Sequence, residues 1–203
     1  MSADSFLTIA RRCQQELKVN RSRFLATAVP VASREEAETA YQEIARQYHD
    51  ATHNCFAYRI GLGDQPAFRY SDDGEPNGTA GKPIYESINH YELTNTLVVV
   101  TRYFGGVKLG TGGLLRAYRD SARAVLDAAK VVERIIKQTL RIHFVHEQTS
   151  VVMRLLSEFE LQPENTEYSE TVAIDVAVRL SLVEKFTEQM RERSLGKVEV
   201  EAL

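Results

Sequence analysis

Apolar positions along this chain alternate between β-like runs and helical stripes. Phe24, Leu25, Ala26, Ala28, Val29 and Val31 form a run that meets Pro30 near its end, which predicts a strand over 24–31. The period then changes. Ala37, Tyr41, Ile44, Ala45 and Tyr48 share one helical face, and Ser33 with Glu36 makes a capping box, so a helix over 34–49 follows. Residues 55–60 read as a buried strand, 61–66 as a turn and 67–70 as a short strand. Pro83 suits a first helical position and opens a helix over 83–90. The unbroken run Leu97, Val98, Val99, Val100 marks a central strand over 94–103. Leu114, Leu115, Ala117, Tyr118, Ala122, Val125 and Ala129 are the inward stripe of a helix over 111–129, with Thr111 as its N-cap. Residues 1–18 are mixed and partly extended.

The second part of the chain predicts a strand over 135–144, a helix over 147–160 and strands over 164–169 and 170–180. A helix over 183–193 and a strand over 197–202 complete it. That βαββαβ order is the ferredoxin-like split. A change of character near Ala129 to Glu133 divides the chain into domains 1–131 and 132–203, an α+β protein in two parts.

Charge modifies this picture. The net charge is −3, but residues 1–130 carry 16 Lys+Arg against 15 Asp+Glu, while residues 131–203 carry 9 against 13. A broadly basic nucleic-acid binder is excluded, and any phosphate contact falls to a local patch in the first domain. Cys13 and Cys55 stand alone, without the spacing of a disulfide framework or zinc knuckle. The longest apolar run is too short to span a bilayer and residues 1–18 lack a signal-peptide centre, so a cytoplasmic location and no membrane partner are expected.

Candidate chemistry gathers in two glycine-rich loops, each running into a helix. The second, from Tyr103 to Gly113, lets backbone approach a ligand at Gly110, Gly112 and Gly113. Thr111 adds a hydroxyl there, and Arg102, Lys108 and Arg116 add positive charge. Arg116, Arg119 and Arg123 share a helix face suited to a phosphate backbone, and Tyr103, Phe104 and Tyr118 offer stacking surfaces. No nucleotide-binding fingerprint is met. The first loop, from Ser71 to Pro83, holds Asp72, Asp73 and Glu75, whose oxygens suit either Mg²⁺ or turn formation, and Lys82 beside them suits an anion or solvent. His53 and Cys55 share a strand face, but no third orienting residue is identifiable and no catalytic residue is assigned.

His53-Asn54-Cys55-Phe56-Ala57-Tyr58, then Ser71-Asp72-Asp73-Gly74-Glu75-Pro76 with Gly78-Thr79-Ala80-Gly81-Lys82-Pro83, then Arg102-Tyr103-Phe104-Gly105-Gly106 with Lys108-Leu109-Gly110 and Arg116-Ala117-Tyr118, resemble the IMPACT family in its bacterial YigZ branch. The resemblance implies a ribosomal-protein-like α/β N-terminal domain, as in elongation factor G domain IV and the GHMP kinases, and a ferredoxin-like C-terminal domain. It implies a translation context, since eukaryotic members regulate initiation under stress. They do so through a further N-terminal domain that binds a kinase activator, a partner not carried over to this sequence. It implies no catalytic residue.

The expectation is a binding module for the ribosome or structured RNA, without DNA sequence specificity. Its surface is the second loop, Arg102, Lys108, Arg116, Arg119, Arg123 and Lys82, and no cofactor is required. The alternative is an enzyme acting on a phosphorylated small molecule or nucleotide, with Mg²⁺ on Asp72, Asp73 or Glu75.

Overall fold

A computed structural model describes residues 4–62 and 66–203; the middle of the turn over 61–66 lies outside the described residues. Two compact units are present, Phe6–Arg134 and Ile135–Leu203, the second including Asp4 and Ser5. The change of character in the sequence predicts a boundary at 131, with residues 4 and 5 in the first domain. Asp4 belongs instead with the second unit, because its carboxylate receives Arg179 through Nε at 2.5 Å and Nη2 at 2.9 Å, and Ser181 also donates to it.

Apart from the terminal residues Ser5 and Ile135, the first unit comprises β1 (Ser5–Ile9), β2 (Cys13–Val19), β3 (Ser22–Pro30), α1 (Arg34–Gln47), β4 (His53–Ile60) and β5 (Ala67–Ser71). Then come α2 (Gly81–His90), β6 (Thr96–Tyr103), α3 (Gly110–Ala128) and β7 (Val131–Ile135). β1 pairs with β7; the others form a five-stranded sheet ordered β2-β3-β6-β4-β5, whose neighbours are antiparallel. The Leu97–Val100 run is apolar throughout because β6 is buried on both faces. Leu97 and Val99 meet Ala37 and Ile44 of α1, while Val98 and Val100 meet α2 and α3 through Ile84, Ile88, Leu114 and Tyr118. Ser33 Oγ accepts from the Glu36 N–H at 3.2 Å, and the Glu36 carboxylate accepts from the Ala32 N–H at 2.6 Å, so the predicted cap forms.

Strand direction decides where the loops lie. β5 and β6 are both antiparallel to β4, so their C-terminal ends, and the glycine loops leaving them, share one end of the sheet with His53 at the start of β4.

In the second unit β8 (Lys137–Phe144), α4 (Thr149–Glu158), β9 (Pro163–Tyr168), β10 (Val172–Arg179), α5 (Val183–Arg193) and β11 (Glu199–Ala202) give the βαββαβ order, with sheet order β11-β8-β10-β9. The strand expected over 135–144 is β8, and β7, just before it, is a further strand that pairs with β1. Leu140, Ile142, Phe144, Val172, Ile174 and Val176 pack under Val152, Leu155, Phe186 and Met190 of the two helices. The opposite face is polar and carries a fork in which Arg141 Nε and Nη2 reach Asp175 at 2.7 and 2.9 Å, with Asn165 donating at 3.2 Å. No helix among the described residues is long and apolar enough to cross a membrane.

Hydrogen bonding from Arg141, foremost, holds the Asp175 carboxyl below the usual carboxylate range. A depressed folded value means the unfolded chain binds more protons in acid. The stabilisation is therefore complete above the unfolded-state pKa of about 3.9 and is lost as pH falls from there through the lowered folded value. Asp175→Asn is expected to destabilise the protein at neutral pH and to match wild type progressively in acid, as read by urea unfolding across a pH series.

Candidate functional site

The first loop is organised by its carboxylates. Asp72 accepts from the N–H groups of Gly78, Ala80 and Gly81 at 2.8, 2.9 and 2.8 Å, filling the N-terminal end of α2 with an internal anion. Asp73 accepts from the Asn54 N–H at 2.6 Å, and its carbonyl O lies 2.7 Å from His53 Nδ1. Glu75 turns inward. Its side chain is 4% exposed and meets Arg102, 6% exposed, at 2.5 Å. The same oxygen accepts from Tyr118 Oη at 2.8 Å and lies 4.0 Å from His53 Nε2.

The three carboxylates named as Mg²⁺ candidates thus serve three different sets of partners, and no cluster of three or more His, Cys, Asp or Glu suited to a metal occurs among the described residues. Cys55 is buried, its thiol donates to the Asp72 carbonyl at 3.0 Å, and its sulfur lies 3.4 Å from Tyr118 Oη. Burial pushes the Cys55 thiol far above its ordinary range, and the charges of Glu75, Asp73 and Asp72 act in the same direction. It stays protonated at neutral pH, so His53 and Cys55 do not make a thiolate nucleophile. Burial likewise raises Tyr118, which is fixed as a donor to Glu75.

The second loop behaves differently. Gly105 rests on the β2–β3 turn so closely that a Cβ there would lie 2.0 Å from the Arg21 carbonyl carbon, and its N–H donates to Ser22 Oγ at 3.2 Å. That turn holds Asn20 and Arg21 at φ 45° and 68°, the paired positive angles of a tight hairpin. Arg21 is exposed beside the loop. α3 then opens at Gly110 with Leu109 as N-cap and no side-chain cap. Thr111, the expected cap, is instead an exposed residue inside the first turn, two positions after the observed cap, and Gly110 between them has φ 70°, an angle that favours glycine. Gly112 needs neither a positive φ nor close packing: a Cβ there would meet only Arg116 Nη1, at 3.9 Å. Thus α2 ends on Asp72, whereas α3 presents its first N–H groups at an uncapped glycine turn.

Of the predicted surface, Lys108, Gly110, Thr111, Gly112 and Arg116 are exposed and lie in or beside this turn, and Gly113 is half-buried in it. Arg102 is removed from the surface by Glu75. The arginine stripe narrows. Arg119 pairs with Asp120 at 3.1 Å, and Arg123 is half-buried with its Nε unpartnered, one helical turn before Asp127. Lys82 stands at the start of α2, 3.9 Å from Glu86. Among the proposed stacking residues Tyr118 is fully buried, Tyr103 lies under Arg23 and donates to Asp50, and Phe104 is 46% exposed. Sequence reasoning missed the Glu75–Arg102–Tyr118 cluster, whose members are 27 and 43 residues apart from Glu75, a separation that leaves no local pattern. It also missed the shelf of Phe68, Tyr70 and Tyr85 at the β5 edge, with Phe68 and Tyr85 ring centroids 4.7 Å apart.

Removing the Glu75 charge leaves a buried guanidinium uncompensated, and Glu75→Gln is expected to cost about 3–5 kcal/mol in urea unfolding. Gly112→Ala is expected to do the opposite. It places a better helix former in open space and adds up to about 1 kcal/mol of stability, a gain that calorimetry would register as a higher melting temperature.

Residues 20–126 match the Impact N-terminal domain and residues 142–197 a domain of unknown function, DUF1949. IMPACT family member YvyE of Bacillus subtilis is 36% identical over 97% of this chain and 90% of its own length, and IMPACT family member YigZ of Escherichia coli is 28% identical over 92% of each. Protein IMPACT of Oryctolagus cuniculus is 32% identical over 44% of this chain and 29% of its own. A solved structure described as that of a hypothetical protein superposes with a TM-score of 0.72 at 27% identity, covering 98% of both chains. Two matched domains in the observed order, together with a relative similar along nearly the whole length, establish that this chain belongs to the IMPACT family.

Proposed function

We propose that this protein is a translation-associated binding module that holds RNA phosphates, on the ribosome or on a structured transcript, at the uncapped start of α3. The observation that carries the reading is the contrast between two neighbouring helix ends, one filled by Asp72 and the other left open at a glycine turn. Lys108 and Arg116 supply cations around the open end, Arg21 is exposed in the hairpin turn on which Gly105 rests, and Phe104 and Val107, 46% and 40% exposed, supply surface for an unstacked base. The polar sheet face of the second unit is a poorer candidate. Arg141 there is matched by Asp175, and the alternating residues of β8 and β10 on that face include no Phe or Tyr. The translation context rests on family membership, since eukaryotic IMPACT proteins regulate translation.

Cosedimentation with ribosomes and their subunits across a salt series tests this. Wild type is expected to bind at low salt with a steep salt dependence. Lys108→Glu/Arg116→Glu is expected to lose that binding, with Arg119→Glu, already matched by Asp120, affected less. Absence of wild-type binding at low salt, or an unaffected double variant, would sink the proposal.

A further inference from the structure

The C-terminal unit carries a site unrelated to the glycine loops. β9 is an edge strand, bonded to β10 on one side, with no strand on the other among the described residues. Registers Tyr168↔Val172 and Thr166↔Ile174 put these side chains on the helix-bearing face of the sheet. Together with Phe144 of β8 and Met153 of α4 they line a cavity of about 220 Å³, open between the helix and the strand edge. Its rim is apolar yet bare: Met153 is 46% and Tyr168 78% exposed. His146 Nε2 lies 3.3 Å from the Ser169 carbonyl O across one end.

Charge identifies the occupant. Glu147, Glu164 and Glu170 are exposed, and each is next in sequence to, or two residues from, a residue lining the cavity. Glu167, which alternates with Thr166 and Tyr168, is on the opposite sheet face 3.5 Å from Arg141, and no ion pair is formed by the three rim glutamates among the described residues. The one cation so placed, Arg154, acts on Glu158 one helical turn away. A phosphate chain is repelled by such a rim. A second copy would bring like charges together, which opposes strand pairing. Pro163 and the bulge at Asp175/Val176 blunt the beginning of β9, but Thr166 to Tyr168, alongside the cavity, keep regular register.

We infer that the β9 edge and its cavity dock an extended, basic segment of a partner protein, adding a strand to the sheet. An alternate apolar side chain of that segment enters the cavity, and its lysines or arginines face the glutamates. The inference is independent of the phosphate site on α3.

The test uses the full chain and fluorescein-labelled synthetic peptides followed by anisotropy, with ¹⁵N–¹H NMR to locate binding. One peptide alternates lysine with leucine and valine; a second replaces lysine with glutamate; a third replaces the apolar residues with serine. Only the lysine–apolar peptide is expected to bind, perturbing residues from Met153 to Thr171. Met153→Arg and Glu164→Lys/Glu170→Lys are each expected to weaken it at least about tenfold, while leaving the melting temperature and ribosome cosedimentation at wild-type values. Equal binding of the lysine–serine peptide, perturbations elsewhere, or undiminished binding to both variants would overturn the inference. So would an RNA oligonucleotide perturbing the same residues, which assigns the groove to nucleic acid, or self-association abolished by Met153→Arg, which assigns it to a second copy.

Discussion

The buried contact between Glu75 and Arg102 is the constraint on which the N-terminal domain depends. Burying a carboxylate and a guanidinium is unfavourable unless each meets a partner, and here the partners come from different parts of the chain. Glu75 belongs to the first glycine loop, Arg102 to the central strand β6 and Tyr118 to α3. One carboxylate oxygen therefore ties loop, sheet and helix at a single point. The second loop leaves β6 immediately after Arg102 and enters α3 eight residues before Tyr118, so the contact brackets it from both sides.

That arrangement separates, within one sheet end, the loop that supports the fold from the loop proposed to bind. Asp72, Asp73 and Glu75 look in sequence like a set of metal ligands. In the fold each satisfies a backbone or side-chain donor: the start of α2, the start of β4 and the β6 guanidinium. The acidic loop is internal scaffolding. The second loop has its glycines divided in the same way, Gly105 serving contact with the hairpin turn and Gly112 having no structural demand on it. A glycine where a helix former fits better is a local inconsistency of the kind expected at functional sites, where backbone access outweighs helix stability.

The two domains differ in how they present charge. The N-terminal unit neutralises its acidic loop internally and leaves Lys108 and Arg116 exposed, whereas the C-terminal unit leaves carboxylates along a sheet edge beside an apolar cavity. The two proposed sites would be complementary, one taking anions and the other a basic polypeptide. The charge imbalance of the sequence reflects that division.

Much of the architecture was legible from the residues. The unbroken Leu97–Val100 run required a strand covered on both faces, the Ser33–Glu36 cap placed α1, and the order of runs and stripes gave the βαββαβ domain, because periodicity and capping act over a few residues. The family motifs pointed to both glycine loops. Sequence could not decide which charged residues in them were free. Arg102 and Arg116 look equivalent as cations until the fold buries one against Glu75 and leaves the other exposed, and Tyr118 looks like a stacking surface until α3 turns it into the core. Those outcomes depend on contacts between residues 27 to 63 positions apart, joining Glu75, Arg102, Tyr118 and Cys55. No local propensity encodes such pairings; they follow from antiparallel strand register, which brings both loops to one end of the sheet and makes burial of one carboxylate depend on the guanidinium across from it.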